Sequence, residues 1–234
     1  MRREASTPDH RIAFSFALAL ALPIIATAAP TPTETAENGV SAYEAGRLDE
    51  AARLFERAAR AGNRLAQFNF AMMLYRKEVP APDLASAWHW LRRAATAGLP
   101  QAQFTLAAVY DQGEGVARSL PTAAEWYRRA AEQGHTEAQV NLASMLFIGQ
   151  GVPRDDRGAA RWYLAAAQGG HVGAQYIIAT MLERGEGTPA DPRQAAYWYQ
   201  QAARQGDVVA RERYRALQPT LPPTASPLPS PPDR

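Results

Sequence analysis

The chain has 234 residues, with 25 Lys plus Arg against 23 Asp plus Glu and a formal net charge of +2. The two signs are interspersed instead of gathered into a basic stripe, which argues against a nucleic-acid surface. Cysteine is absent, so disulfides, thiolate metal ligands and a cysteine-borne lipid anchor are excluded, and packing alone must hold an exported form together.

Residues 1–29 follow the grammar of an export signal. Arg2, Arg3 and Arg11 make a charged start, Ile12 to Ile25 an apolar run, and Ala26-Thr27-Ala28 a small-residue cleavage site. The alternative is an uncleaved anchor, but the run from Ile12 to Ala29 is alanine-rich, broken by Pro23, and at the short end for a membrane span. The pattern predicts a periplasmic protein, or alternatively a secreted one, without a stable membrane anchor after cleavage. Residues 30–38 (PTPTETAEN) show no periodicity and read as a polar linker.

From residue 39 to 218 the chain is one repeat array. Ala66-Gln67, Ala102-Gln103, Ala138-Gln139 and Ala174-Gln175 recur every 36 residues. Trp90, Trp126, Trp162 and Trp198 keep that interval, as do Gly62, Gly98, Gly134, Gly170 and Gly206. A strict period of this length means a solenoid, whose units bury their apolar faces only against their neighbours. The first unit, roughly Gly39 to Gly62, is irregular, with a short first helix.

Each full unit reads as two helices. The first carries a stripe such as Ala102, Leu106, Ala107 and Tyr110 and stops at Gly113-Glu114-Gly115, where glycine can take the left-handed conformation. The second starts at Asp83, Ser119, Asp155 or Asp191, all good N-cap residues. Its buried stripe is Ala123, Trp126, Tyr127, Ala130 and Ala131, with the tryptophan column assigned to the core between units. Unit two departs from the pattern: it has Lys77-Glu78-Val79-Pro80-Ala81-Pro82 in place of the glycine turn and a second tryptophan, Trp88. Val208 to Leu217 forms a half-repeat cap, and residues 219–234, with seven prolines, read as an extended tail.

The block A-Q-x-x-L-A-x-x-Y/L-x-x-G-x-G-V followed by D-x-x-x-A-x-x-W-x-x-x-A-A-x-x-G resembles the Sel-one-like repeat, an α/α motif related to the tetratricopeptide repeat. The resemblance is strong over residues 64–206 and loose over 39–63. Ala71, Ala107, Ala143 and Ala179 stand where that family usually carries glycine. It implies an all-α, right-handed superhelical solenoid of about five two-helix repeats plus a capping helix, and a role in binding other proteins. Bacterial members of such a family act as adaptors that regulate sensor kinases, assemble membrane complexes or contact a host.

No catalytic constellation accompanies the repeats. His89 adjoins the Trp90 column, and His135 and His171 occupy one turn a repeat apart, about 10 Å for packed helices, too far to share a metal. H-E-x-x-H and G-x-S-x-G are absent. Cysteine-rich relatives have been discussed as acting on β-lactams or peptidoglycan. Here their cysteines are missing, and Leu74 stands three before the single lysine, Lys77, where S-x-x-K would need serine. The acidic turn residues Asp111, Glu114, Glu186 and Asp155-Asp156 match no calcium loop. We therefore expect no enzyme, no cofactor and no metal.

Columns that never vary between units are packing; columns that vary are free to specialise. On the first helix the variable positions share one face. They are Leu65, Asn69, Met72 and Arg76; Gln101, Thr105, Ala108 and Gln112; Glu137, Asn141, Ser144 and Ile148; Gly173, Ile177, Thr180 and Arg184. In tetratricopeptide-like arrays this face lines the concave groove. The expectation is that Asn69, Met72, Arg76, Thr105, Gln112, Glu137, Asn141, Ser144, Ile177, Thr180 and Arg184 grip a peptide or helix of an envelope-associated protein. The alternative is a solvated face.

Overall fold

The computed structural model describes residues 29–221. Residues 1–28, nearly all of the stretch read as an export signal, and residues 222–234, most of the stretch read as a proline-rich tail, lie outside the described residues. Within them are eleven α-helices: α1 (Pro32–Glu44), α2 (Leu48–Arg60), α3 (Arg64–Tyr75), α4 (Leu84–Thr96), α5 (Pro100–Gln112), α6 (Leu120–Glu132), α7 (Thr136–Ile148), α8 (Asp156–Gln168), α9 (Val172–Arg184), α10 (Pro192–Arg204) and α11 (Val208–Leu217). Every helix packs on the next, so five helix pairs stack as a solenoid and α11 covers the last one. No helix among the described residues is long and apolar enough to cross a membrane.

The linker reading of residues 30–38 is corrected by α1. Thr31 and Glu34 form a capping box: the Thr31 amide donates to Glu34 Oε2 at 2.7 Å and the Glu34 amide donates to Thr31 Oγ1 at 3.2 Å. Pro32 sits at the start, where its missing N–H costs nothing. The buried face is made of small residues, Thr35, Ala36, Gly39 and Ala42, so it shows no apolar stripe. Gly39 is required there, because a Cβ would lie 2.8 Å from the Phe55 ring. The first unit is thus complete, with a 13-residue first helix.

The core placement of the tryptophans is also corrected. Trp90, Trp126 and Trp162 are half-buried, and only Trp198 of that column is fully buried. The large core side chain is the next residue: Leu91 0%, Tyr127 3%, Tyr163 5% and Tyr199 0% exposed. One residue turns a helical side chain by about 100°, which takes the tryptophan from the core to its edge. There Arg93 and Arg129 cover Trp90 and Trp126 at 4.9 and 4.5 Å from the rings. The buried residues fall into two clusters that divide at α5, with half-buried Tyr110 and Trp126 packed against both.

The invariant glutamines are a polar ladder between units. Gln67, Gln103, Gln139 and Gln175 are buried, and each Nε2 donates to a carbonyl eight residues earlier, at Ala59, Ala95, Ala131 and Ala167, over 3.1–3.2 Å. These carbonyls lie at helix C-termini, where each also accepts the amide of the turn glycine three residues on. Gln133 and Gln205 in turn donate to the Oε1 atoms of Gln103 and Gln175 at 2.7 and 2.9 Å. Ala97 holds the matching position for Gln67, whose Oε1 is buried without a partner. Ala97→Gln is therefore expected to stabilise the fold by about 1 kcal/mol, read as a higher melting temperature. Ala97→Glu, which cannot donate, should give no gain.

Gly113, Gly149 and Gly185 close the first helices in the left-handed conformation. The irregular turn of unit two keeps this backbone with Lys77, at φ 60°. A residue with a Cβ is strained there by about 1–2 kcal/mol. Lys77→Gly should recover about 1 kcal/mol of that, again as a rise in melting temperature. Asp83, Asp155 and Asp191 cap α4, α8 and α10 as expected. Ser119 instead turns its hydroxyl to Thr122 at 2.7 Å and makes no backbone cap.

Candidate partner-binding groove

The first helices of the units are α1, α3, α5, α7 and α9, and a second column of caps opens α3, α7 and α9, and α11 after them, whereas Leu99 gives α5 no side-chain cap. Asn63, His135, His171 and Asp207 each accept an amide proton from the residue three positions on. His135 and His171 do so through Nδ1 at 3.3 and 3.1 Å, so the turn decoration read from the sequence has a structural task. Among the described residues no group of three or more His, Asp or Glu side chains could hold a metal.

The variable stripe lies along these helices with its ends exposed and its middle half-buried. Leu65, Arg76, Gln101, Gln112, Glu137, Ile148, Gly173 and Arg184 are exposed; Asn69, Met72, Thr105, Ala108, Asn141, Ser144, Ile177 and Thr180 are half-buried. Four of the predicted residues come together. Asn69 and Met72 of α3, Arg76 at its C-terminal cap and Thr105 of α5 line a hollow of about 580 Å³ with Val40, Tyr43 and Glu44 of α1. Phe55, Phe68 and Met73 add apolar wall, and Glu78 stands at the rim. Tyr43 donates to both Glu78 oxygens at 3.1 Å, and Arg76 Nη1 donates to the Tyr43 hydroxyl at 3.3 Å. This chain of contacts fixes one edge of an otherwise apolar recess, and the two methionines let its floor adapt in shape.

The remaining predicted residues are not gathered into that hollow, and several are already engaged. Ser144 Oγ lies 2.8 Å from the Tyr163 hydroxyl and Thr180 Oγ1 lies 3.0 Å from that of Tyr199. Both also donate within their own helix, to the Val140 and Tyr176 carbonyls. Arg184 pairs with Glu186 at 3.7 Å, and within the hollow Thr105 donates to the Gln101 carbonyl at 2.8 Å. Burial raises the Tyr127 phenol, beside Asn141, above its ordinary value. Burial does the same to Tyr199, which donates to Glu183 at 2.8 Å, and Arg213 of α11 stands 3.6 Å from that carboxylate.

Val40, Tyr43 and Glu44 were missed by sequence reasoning because α1 was read as linker and short helix; Glu78 lies in the unit-two turn, which was read only as a departure from the repeat pattern. The Thr31-Pro32-x-Glu34 capping box was the available signal. Counted from the caps, α1 is displaced from α3 by 32 residues, not 36, so the period alone does not find its groove positions.

No curated protein matches the chain. Among solved structures, c5321, described as a protective antigen of uropathogenic Escherichia coli with an SLR fold, is 31% identical with a TM-score of 0.73. The match covers 80% of this chain and 41% of that one, so the chain spans about two fifths of the E. coli protein's length. A Sel1 repeat protein from Oxalobacter formigenes is 26% identical, with a TM-score of 0.65, over 80% of this chain and 76% of that one. The family model of the Sel1 repeat matches residues 47–63, 64–99, 100–135, 136–171 and 172–207. Four of these segments are complete helix pairs, and the first begins after α1. The helix pairs, their shared turns and caps, and these matches together place the chain in the Sel1 repeat family.

Proposed function

We propose that this protein is a non-enzymatic adaptor of the bacterial cell envelope that holds a peptide or helix of a partner protein against the first helices of its units. The observation that carries the reading is the hollow spanning α1, α3 and α5. An apolar wall of Val40, Phe55, Phe68, Met72 and Met73 lies beside a fixed polar edge of Tyr43, Arg76 and Glu78. Such a recess suits one apolar anchor side chain of a partner, the usual source of most binding energy. The charged, apolar and small-residue order of residues 1–29 supports a periplasmic or secreted location. Recovery from periplasm or culture supernatant distinguishes the two.

A photo-crosslinking amino acid placed at Asn69, on the rim, tests the reading in intact cells. One discrete protein adduct is expected, and Met72→Glu should lower its yield about tenfold or more while the melting temperature stays close to wild type. An adduct unaffected by Met72→Glu would move the partner surface off this face.

A further inference from the structure

A second recess lies away from the groove, between α8, α9 and the α9–α10 turn, with a volume of about 960 Å³. Ala160, Leu164, Ile178 and Leu182 form its apolar side, with Asp156 and Gly187 at its closed end. In register with the repeat, Ala160 corresponds to Trp88, Asp156 to Leu84 and Gly187 to Gly115. In unit two the indole of Trp88 fills this place. It is 6% exposed, packs 5.3 Å from the Tyr75 ring, and a Cβ on Gly115 would lie 2.6 Å from its Nε1. Unit two therefore accommodates a large aromatic side chain at the position that Ala160 holds in unit four.

The rim sets the charge of the occupant. Arg157 and Arg161 are exposed and, among the described residues, make no ion pair or hydrogen bond. The acidic residues beside them are engaged. Asp156 is held bidentately by Arg154 at 2.7 and 2.9 Å, and Asp191 accepts the Arg193 and Gln194 amides and the Gln194 side chain. The equivalent recess at Ala52 is smaller, about 390 Å³, with Asp49 and Glu56 beside Arg53, so it lacks this one-sided charge.

We infer that the Ala160 recess docks an acidic protein segment bearing an exposed tryptophan. The indole takes the place that Trp88 fills in unit two, and flanking carboxylates meet Arg157 and Arg161. This surface is separate from the α1–α3–α5 hollow, so either reading can fail without the other.

The probe is a short peptide with fluorotryptophan flanked on each side by two glutamates, titrated into the purified protein at low salt and followed by fluorine NMR. Saturable binding is expected. It should weaken about tenfold or more in Ala160→Trp, which copies the arrangement of unit two. Arg157→Glu with Arg161→Glu should weaken it comparably, as should replacing the peptide's glutamates by lysine; these two arms do not depend on the tryptophan variant folding. No saturable binding to wild type, or equal binding by the charge-reversed variant or the lysine peptide, overturns the inference. So does self-association that Ala160→Trp abolishes, which would make a second copy the occupant. Binding seen only after removal of residues 222–234 overturns it as well, in favour of the chain's own tail.

Discussion

Gly187→Ala is expected to cost about 2–5 kcal/mol and to lower the melting temperature by roughly 5–15 °C. Two effects add. Gly187 has φ +67°, where a Cβ costs about 1–2 kcal/mol. The new methyl would also be driven into the α8 N-terminus, 2.5 Å from the Asp156 carbonyl carbon and closer still to its oxygen. Backbone cannot swing aside as a side chain can, so the turn or the helix must move, and overpacking of that kind costs about 1–3 kcal/mol. Gly170→Ala supplies the control, since Gly170 has φ +89° with nothing within 4 Å. It should show the conformational cost alone. Equal losses in the two variants, measured by far-UV circular dichroism, would show that the close approach to Asp156 contributes nothing.

Tyr163→Ala should be similarly severe, at about 3–5 kcal/mol, whereas Trp162→Ala should cost less than half as much. Tyr163 is 5% exposed in the larger core cluster, and its hydroxyl lies 2.8 Å from Ser144; Trp162 is half-buried at the cluster's edge. Tyr163→Phe isolates the hydroxyl and should cost about 1 kcal/mol. Paired denaturation curves of the three variants decide the order. A larger loss for Trp162→Ala would return the tryptophan column to the core.

These two results bear on how far the residues alone reveal the structure. Helix boundaries at Gly113, Gly149 and Gly185 and caps at Asp83, Asp155 and Asp191 were legible because each answers a local backbone requirement, a positive φ or an unpaired amide. The period then fixed how units stack. Counting Trp126 with Tyr127 in the buried stripe has a different origin. Both are large, adjacent and strictly repeated, and only the tilt of α6 against α5 decides which one turns inward. α1 escaped notice because a helix that packs through Thr35, Ala36, Gly39 and Ala42 presents no contrast between apolar and polar faces. Part of the candidate groove was visible as variation between units, which located Asn69, Met72, Arg76 and Thr105. The same variation also marked Ser144 and Thr180, whose differences answer a tyrosine on the neighbouring helix. Variation among repeats records any change of neighbour, inside the fold as well as beyond it.

The division of buried residues at α5 has a mechanical consequence. Each half carries its own apolar interior, and half-buried Tyr110 and Trp126 pack against both. Cooperative units of unequal stability open separately, so amide exchange should show two plateaus with a boundary near residue 106, and bending should concentrate there. A ligand lying across that joint would act as a splint, stiffening the two halves against such bending.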